Sequence, residues 1–231
     1  MNVKESAGRR AADWVRSGMR LGLGSGSTVR YTLEEIGARL ADGRLHDLVG
    51  VPTSDRTASL ARDLRIPLAD LNDLRRLDLA IDGADEVDPN HDLIKGLGGA
   101  ALREKIVEAT ADNLVIVVDE SKLVSRLGSV APLPVEVAVF GWQVTAGALR
   151  ALGCDPVLRQ DGAGGMFRTD GGNAILDCHF RAGIPDAHAL ARAVDAMPGV
   201  LGHGLFLDFA PTVVVGRGGG VEVREPPGRR K

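Results

Sequence analysis

Apolar residues alternate along this chain between helical spacing and short unbroken runs. Ala7, Ala11, Trp14 and Val15 share one face of a helix expected over residues 2–17, with Gly18 as its stop. Residues 19–23 then read as a strand. Val29, Leu33, Ile36 and Leu40 return to helical spacing. The pattern continues as a strand at 48–51, a helix at 55–64, a strand at 77–81, a helix at 100–111 and a buried strand at 114–118. Short apolar strands separated by helices predict an α/β fold, a parallel sheet covered on both faces. In such folds ligands bind beyond the carboxyl ends of the strands.

The texture changes after Gly128. Pro132, Pro134 and Pro156 punctuate a stretch with helices expected at 141–152 and 186–196. Strands near 157–160 and 174–180 flank the turn-rich segment DGAGGMFRTDGGN. Apolar runs within 205–223, Val213 to Val215 among them, are expected to rejoin the first sheet. The organisation expected is a discontinuous main domain over 1–128 plus 205–225, a small α+β lobe over 129–204, and a flexible tail over 226–231.

Composition narrows the function. Aromatic residues are only 3% of the chain, which argues against a stacking surface for single-stranded nucleic acid. The net charge of −3 leaves no broad basic footprint. The one basic cluster, Arg229, Arg230 and Lys231, reads as a solvated tail. Cys154 and Cys178 have neither zinc-site nor disulfide-framework spacing. No apolar run approaches the ~20 residues of a membrane helix, and the N-terminal segment has no signal-peptide core. The expected compartment is the cytoplasm, with neither nucleic acid nor membrane as partner.

Four polar segments each follow a strand of the one predicted sheet. GLGSGST (22–28) has glycines for a tight turn, hydroxyls, and a helix N-terminus that can take a phosphate; it also reads as a plain connector. It is neither a Walker A loop nor a complete dinucleotide fingerprint. LAIDGADEVD (79–88) places Asp82, Asp85, Glu86 and Asp88 after a strand. Paired carboxylates there can bind sugar hydroxyls and move protons, while an acidic turn or a hard-metal site fits the same residues. KGLGGAALREK (95–105) is a second glycine loop, led by Lys95 and running into a helix that carries Glu104. Arg103, Lys105 and the helix N-terminus favour an ionised Glu104, as proton abstraction requires; a dipole-complementing Glu is the bland reading. VDESKLV (118–124) offers Lys122 as a point charge or as a solvated lysine. His91, near the acids, reads as a loop residue. Together the segments fit an anionic, hydroxyl-rich substrate such as a sugar phosphate. No GxSxG elbow supports a serine hydrolase.

In this order, GLGSGST, DGADE, KGLGGAALREK and DESK resemble the signature of the A-type ribose-5-phosphate isomerases. The resemblance extends through PLPVEV (133–138), GNAILD (172–177) and MPGVLGHGLF (197–206). It implies a Rossmann-like main domain with an inserted α+β lobe. It also implies interconversion of ribose 5-phosphate and ribulose 5-phosphate with no cofactor and no metal, in a homodimer or homotetramer. By position, Glu104 matches the family's base, and Asp82 and Asp85 the acids that assist ring opening. Substrate contacts fall on Ser25, Gly26, Ser27 and Thr28, on Asp82, Gly83, Ala84 and Asp85, on Lys95, Gly96, Leu97 and Gly98, and on Lys122. Ser25 replaces a common Thr. Leu97 replaces a common glycine and would be strained if that position needs positive φ. Three other readings compete, a sugar-phosphate sensor without turnover, a nucleotide-dependent oxidoreductase, and another sugar-phosphate isomerase or deaminase of similar fold, which only a substrate panel separates. Against the sensor, the first helix starts close to Met1, leaving no DNA-binding module. Against the oxidoreductase, Pro52-Thr53-Ser54 stands where a ribose-binding acid would be expected.

Overall fold

The computed structural model describes residues 2–226. From the N-terminus the elements are α1 (Val3–Ala11), β1 (Arg20–Leu23), α2 (Val29–Ala41), β2 (Val49–Pro52), α3 (Asp55–Asp63), β3 (Leu79–Asp82), β4 (Glu86–Val87) and β5 (Leu93–Ile94). They continue as α4 (Ala101–Ala109), β6 (Leu114–Asp119), β7 (Leu133–Val137), α5 (Trp142–Arg150), β8 (Asp155–Leu158) and β9 (Ala174–His179). The last are α6 (Ala187–Asp195), β10 (Val200–His203), β11 (Leu205–Phe206), β12 (Thr212–Arg217) and β13 (Gly220–Arg224). The expected 2–17 helix is shorter: after Ala11 it tightens into a 3-10 turn over Ala12–Trp14, and Val15 is extended. Apart from Pro226, the expected tail lies outside the described residues.

The chain forms two compact units. The first comprises residues up to Ala84, Arg103–Lys122 and those from Phe209 on. Its sheet has the order β13-β12-β6-β3-β1-β2, parallel throughout except for β13. Strand side chains alternate between faces, and both faces are covered. Leu21, Leu23, Ile81, Val115 and Val117 pack with Ala7 and Ala11 of α1 and with Val29, Leu33 and Ile36 of α2. On the other face Gly22 and Ala80 meet Val107 of α4, so closely that a Cβ on Gly22 would lie 2.7 Å from the valine methyl. Of the run at 205–223, the part from Thr212 on rejoins this sheet as β12 and β13, as expected.

The second unit comprises Asp85–Leu102 and Leu123–Asp208. It holds an antiparallel sheet of order β10-β7-β9-β8 and a three-stranded sheet of order β11-β5-β4. Its core includes Leu133, Val135, Val137, Leu149, Leu176 and the two cysteines, both buried with free thiols. Against the boundaries expected from the sequence, residues 85–102, 123–128 and 205–208 belong to this unit. Two features draw them in. β4 and β5 pair with each other, and β5 pairs with β11. The wholly buried Glu86 carboxylate accepts hydrogen bonds from the amides of Gly128 (2.5 Å), Val130 (2.7 Å) and Ala131 (2.7 Å). The loop at 95–99 therefore follows β5 of a separate sheet, and only three of the four polar segments follow strands of the parallel sheet.

Candidate active site

The predicted site residues divide between the units, Ser25–Thr28, Asp82–Ala84, Glu104 and Lys122 to the first, Asp85 and Lys95–Gly98 to the second.

In the first unit β1 lies between β3 and β2, so the strand order reverses direction beside it. The glycine loop leaves β1 at that switch point, where ligands of open α/β sheets bind. Asp82 ends β3 and is 1% exposed. Its Oδ1 accepts from the amides of Ser25 (2.8 Å) and Gly83 (2.7 Å), tying the loop to the neighbouring strand. Gly24 makes this possible, because a Cβ there would lie 2.2 Å from the Asp82 carboxyl carbon. Helix α2 starts at Val29, and its first turn is bonded back into the loop: Arg30 N–H donates to the Gly26 carbonyl and Tyr31 N–H to that of Thr28, each at 3.1 Å, so the positive end of the helix dipole meets the loop.

Ser25 has a structural role in the loop. Its Oγ lies within hydrogen-bond distance of Thr53 (3.0 Å), Ser54 (2.8 Å) and Thr57 (3.0 Å) hydroxyls. Three partners use up what one hydroxyl can donate and accept. Ser25 thus anchors the loop to the β2–α3 junction, and Thr57 adds a hydrogen bond to the Gly24 carbonyl. Thr53-Ser54, read from the sequence only as a missing acid, is this anchor.

Two lysines approach the same edge. Lys4 on α1, absent from the sequence-based site, donates to Ser27 Oγ at 3.1 Å and lies 3.8 Å from Asp119. Burial alone would raise the Asp119 carboxyl, but hydrogen bonds from Ser121 and the charges of Lys4 and Lys122 hold it below its usual range. Asp119 thereby gathers both cations at the carboxyl end of β6. A lysine near a chain start is an ordinary helix residue by pattern, and only the α1–β6 packing reveals its position.

Glu104 lies in the first turn of α4 and is 6% exposed. Beyond the far end of α4, the Thr110 carbonyl accepts from Leu77 N–H and Asp112 N–H donates to the Leu77 carbonyl, just before β3 begins. The helix therefore runs antiparallel to the strands. Glu104 stands one turn beyond Val107, toward the carboxyl edge that carries Asp82 and the glycine loop. A separate cleft of about 800 Å³, beside Arg10, Trp14 and Asp78 at the amino edge, contains none of these residues.

In the second unit Asp85 Oδ2 accepts from Leu97 N–H at 2.9 Å, joining the acid to the second glycine loop. Lys95 is 1% exposed, with its ammonium 5.2 Å from the Phe206 ring centre. The positive φ values belong to Gly96 (105°) and Gly99 (85°), not to Leu97, so the leucine carries no left-handed strain. His91 is a loop residue as expected, at φ 64°, but buried.

Comparison with known proteins places this arrangement. Residues 49–220 match the family model of ribose 5-phosphate isomerase A (phosphoriboisomerase A). The chain is 55% identical to ribose-5-phosphate isomerase A of Roseiflexus castenholzii, over 99% of this chain and 97% of that protein. A solved D-ribose-5-phosphate isomerase in complex with phospho-erythronic acid superposes with a TM-score of 0.94 at 38% identity, covering 97% of this chain and all of the other. The isomerase of Plasmodium falciparum gives 0.93 at 37% identity, covering 96% and 97%. The fold and these matches define an aldose–ketose isomerase. The chain belongs to the ribose 5-phosphate isomerase A family, which interconverts ribose 5-phosphate and ribulose 5-phosphate in the pentose phosphate pathway.

Proposed function

We propose that the isomerisation proceeds through a cis-enediolate with Glu104 as the base. The observation that carries this is the burial of Glu104 at the carboxyl edge of the parallel sheet, on the edge that holds Asp82 and the glycine loop. Asp82 or Asp85 assists opening of the furanose. Glu104 then takes the C2 proton of the open aldose. The C–H electrons form the C1–C2 double bond, and charge develops on O1. Glu104 returns its proton to C1 while C2 becomes the carbonyl and the C2 hydroxyl proton passes to O1. Lys95 stabilises the developing oxyanion. The glycine loop, Lys4 and Lys122 hold the phosphate and supply orientation. The scheme uses no metal or cofactor. Phospho-erythronic acid is proposed to inhibit this chain as an open-chain mimic whose carboxylate stands in for the enediolate oxygens.

The test is ribulose 5-phosphate formation in EDTA by wild type and Glu104→Gln. Loss of a general base costs about 10²–10⁴-fold in kcat, with phospho-erythronic acid still bound; near-normal turnover would remove Glu104 from the role. Lys4→Met and Lys122→Ala should chiefly raise KM, and an unchanged KM in either removes that lysine from the phosphate.

A second copy of the chain is the proposed protein partner, in a homodimer or homotetramer. Phe140 and Val144, 96% and 78% exposed, support an apolar contact on the second unit. Sedimentation of Phe140→Asp tests it: a smaller species than wild type is expected, and a wild type that sediments as a monomer sinks the assembly. The cytoplasm is the proposed compartment, and the two free thiols suit its reducing conditions.

A further inference from the structure

Arg159, just past the end of β8, is bonded directly to the second glycine loop, and nothing in the sequence motifs marks it. Its Nη1 donates to the carbonyls of Gly96 and Leu97, each at 3.0 Å. Its Nε and Nη2 fork onto Asp177 of β9 at 2.8 and 2.5 Å. The guanidinium lies 5.7 Å from the Phe167 ring centre. Phe167 in turn closes on Gly99, where an added Cβ would lie 2.6 Å from the ring. The arginine and Asp177 side chains are 12% and 17% exposed. A charge so sheltered is held by full pairing, and this one is paired on both sides.

The geometry has a direct link to the acid. The Gly96 carbonyl that Arg159 holds and the Leu97 N–H that reaches Asp85 are two ends of one peptide group. A cation on the oxygen polarises the peptide and strengthens the N–H as a donor. The chain Asp177–Arg159–peptide–Asp85 therefore fixes both where the loop lies and how the Asp85 carboxylate is aimed. Gly96 and Gly99 supply the left-handed backbone that lets the loop turn under this clamp.

We propose that Arg159 is a positioning residue of the isomerase. It does not touch substrate; it holds the Lys95–Gly99 loop and Asp85 in the arrangement that the reaction uses. The proposal rests on the reading of that loop as a substrate loop. Lysine would not replace it, because a point charge cannot bridge the two carbonyls and fork to Asp177 at once.

The experiment compares wild type, Arg159→Met and Arg159→Lys in steady-state kinetics, with inhibition by inorganic phosphate and by phospho-erythronic acid. In Arg159→Met, kcat is expected to fall at least about tenfold and phospho-erythronic acid inhibition to weaken by a similar factor. Phosphate inhibition should stay within about twofold, because the phosphate loop belongs to the first unit. Arg159→Lys should recover only part of kcat. Unchanged kcat and KM in folded Arg159→Met overturns the proposal, as does an equal weakening of both inhibitors. If circular dichroism shows that Arg159→Met does not fold, Asp177→Asn is read in the same assays; a smaller loss in the same direction is expected, and none overturns the clamp. A wild type that binds both inhibitors without turnover defeats the proposed mechanism alone, and the ratio of the two affinities, by calorimetry, still decides the role of Arg159.

Discussion

At the scale of single residues, buried carboxylates do different work according to what donates to them. Glu86 is wholly buried and serves three amides of one loop. Glu86→Gln exchanges an acceptor for a donor and leaves at least one amide without its charge-assisted hydrogen bond, at a cost of about 1–3 kcal/mol. Urea unfolding measures it, and a loss smaller than about 0.5 kcal/mol would mean that water or backbone replaces the carboxylate. The sequence singled out Asp82 and Asp85 from the acidic run and left Glu86 without a role. Local pattern cannot supply one, since the amides that donate to Glu86 lie more than forty positions downstream. Ser25 was legible as a loop hydroxyl, but its partners Thr53, Ser54 and Thr57 come from a separate β–α junction. Glu104 was easier to read, because helix period and a preceding glycine loop put it in the first turn without any long-range information.

Among the elements, α1 links stability to the site. It carries Lys4 to Ser27, and it packs on β12 where Gly216 lies beneath it. A Cβ on Gly216 would lie 2.1 Å from the Val3 carbonyl oxygen. Gly216→Ala should therefore push α1 outward, cost about 1–3 kcal/mol as overpacking does, and raise KM through displacement of Lys4. A rise in KM without any fall in Tm would contradict this account. The same helix meets α2 through charge. Arg39 hydrogen-bonds Glu35, and with burial opposing, that bond and the charges of Arg39, Arg44 and Arg9 hold the Glu35 carboxyl below its ordinary value of 4.5. A carboxyl lowered by folding gives its full stabilisation above the ordinary value and loses it as pH falls through the folded one. Glu35→Gln should lower Tm at neutral pH by about 2–4 °C, and the difference should shrink as pH falls below 4.5 and vanish once pH is below the folded value. A difference that persists there would assign the effect to packing. The helices and parallel strands were legible because their periods are strong. β4, β5, β7, β10 and β11 were not: four of them are two to four residues long, and β7 carries Pro134 within it.

For the whole molecule, the chain passes between its two units at four places, after Ala84, Leu102, Lys122 and Asp208. The segments 85–102 and 205–208 looked like parts of the main domain because strands of two residues leave almost no periodic signal. This threading predicts that a fragment of residues 1–128 will not fold as a domain. It lacks β12, the neighbour of β6, and would leave β6 as an open edge. Far-UV circular dichroism and hydrogen exchange check this, and a cooperatively folded fragment would contradict the dependence on β12.

Cys154 and Cys178 are 6% and 1% exposed, and both belong to the core of the second unit. No other thiol exists in the chain. A thiol-specific reagent added to the native protein can react only when that core opens, so labelling becomes a clock for one half of the molecule. Run beside the unfolding of the parallel sheet, it would time the two halves separately without a single substitution.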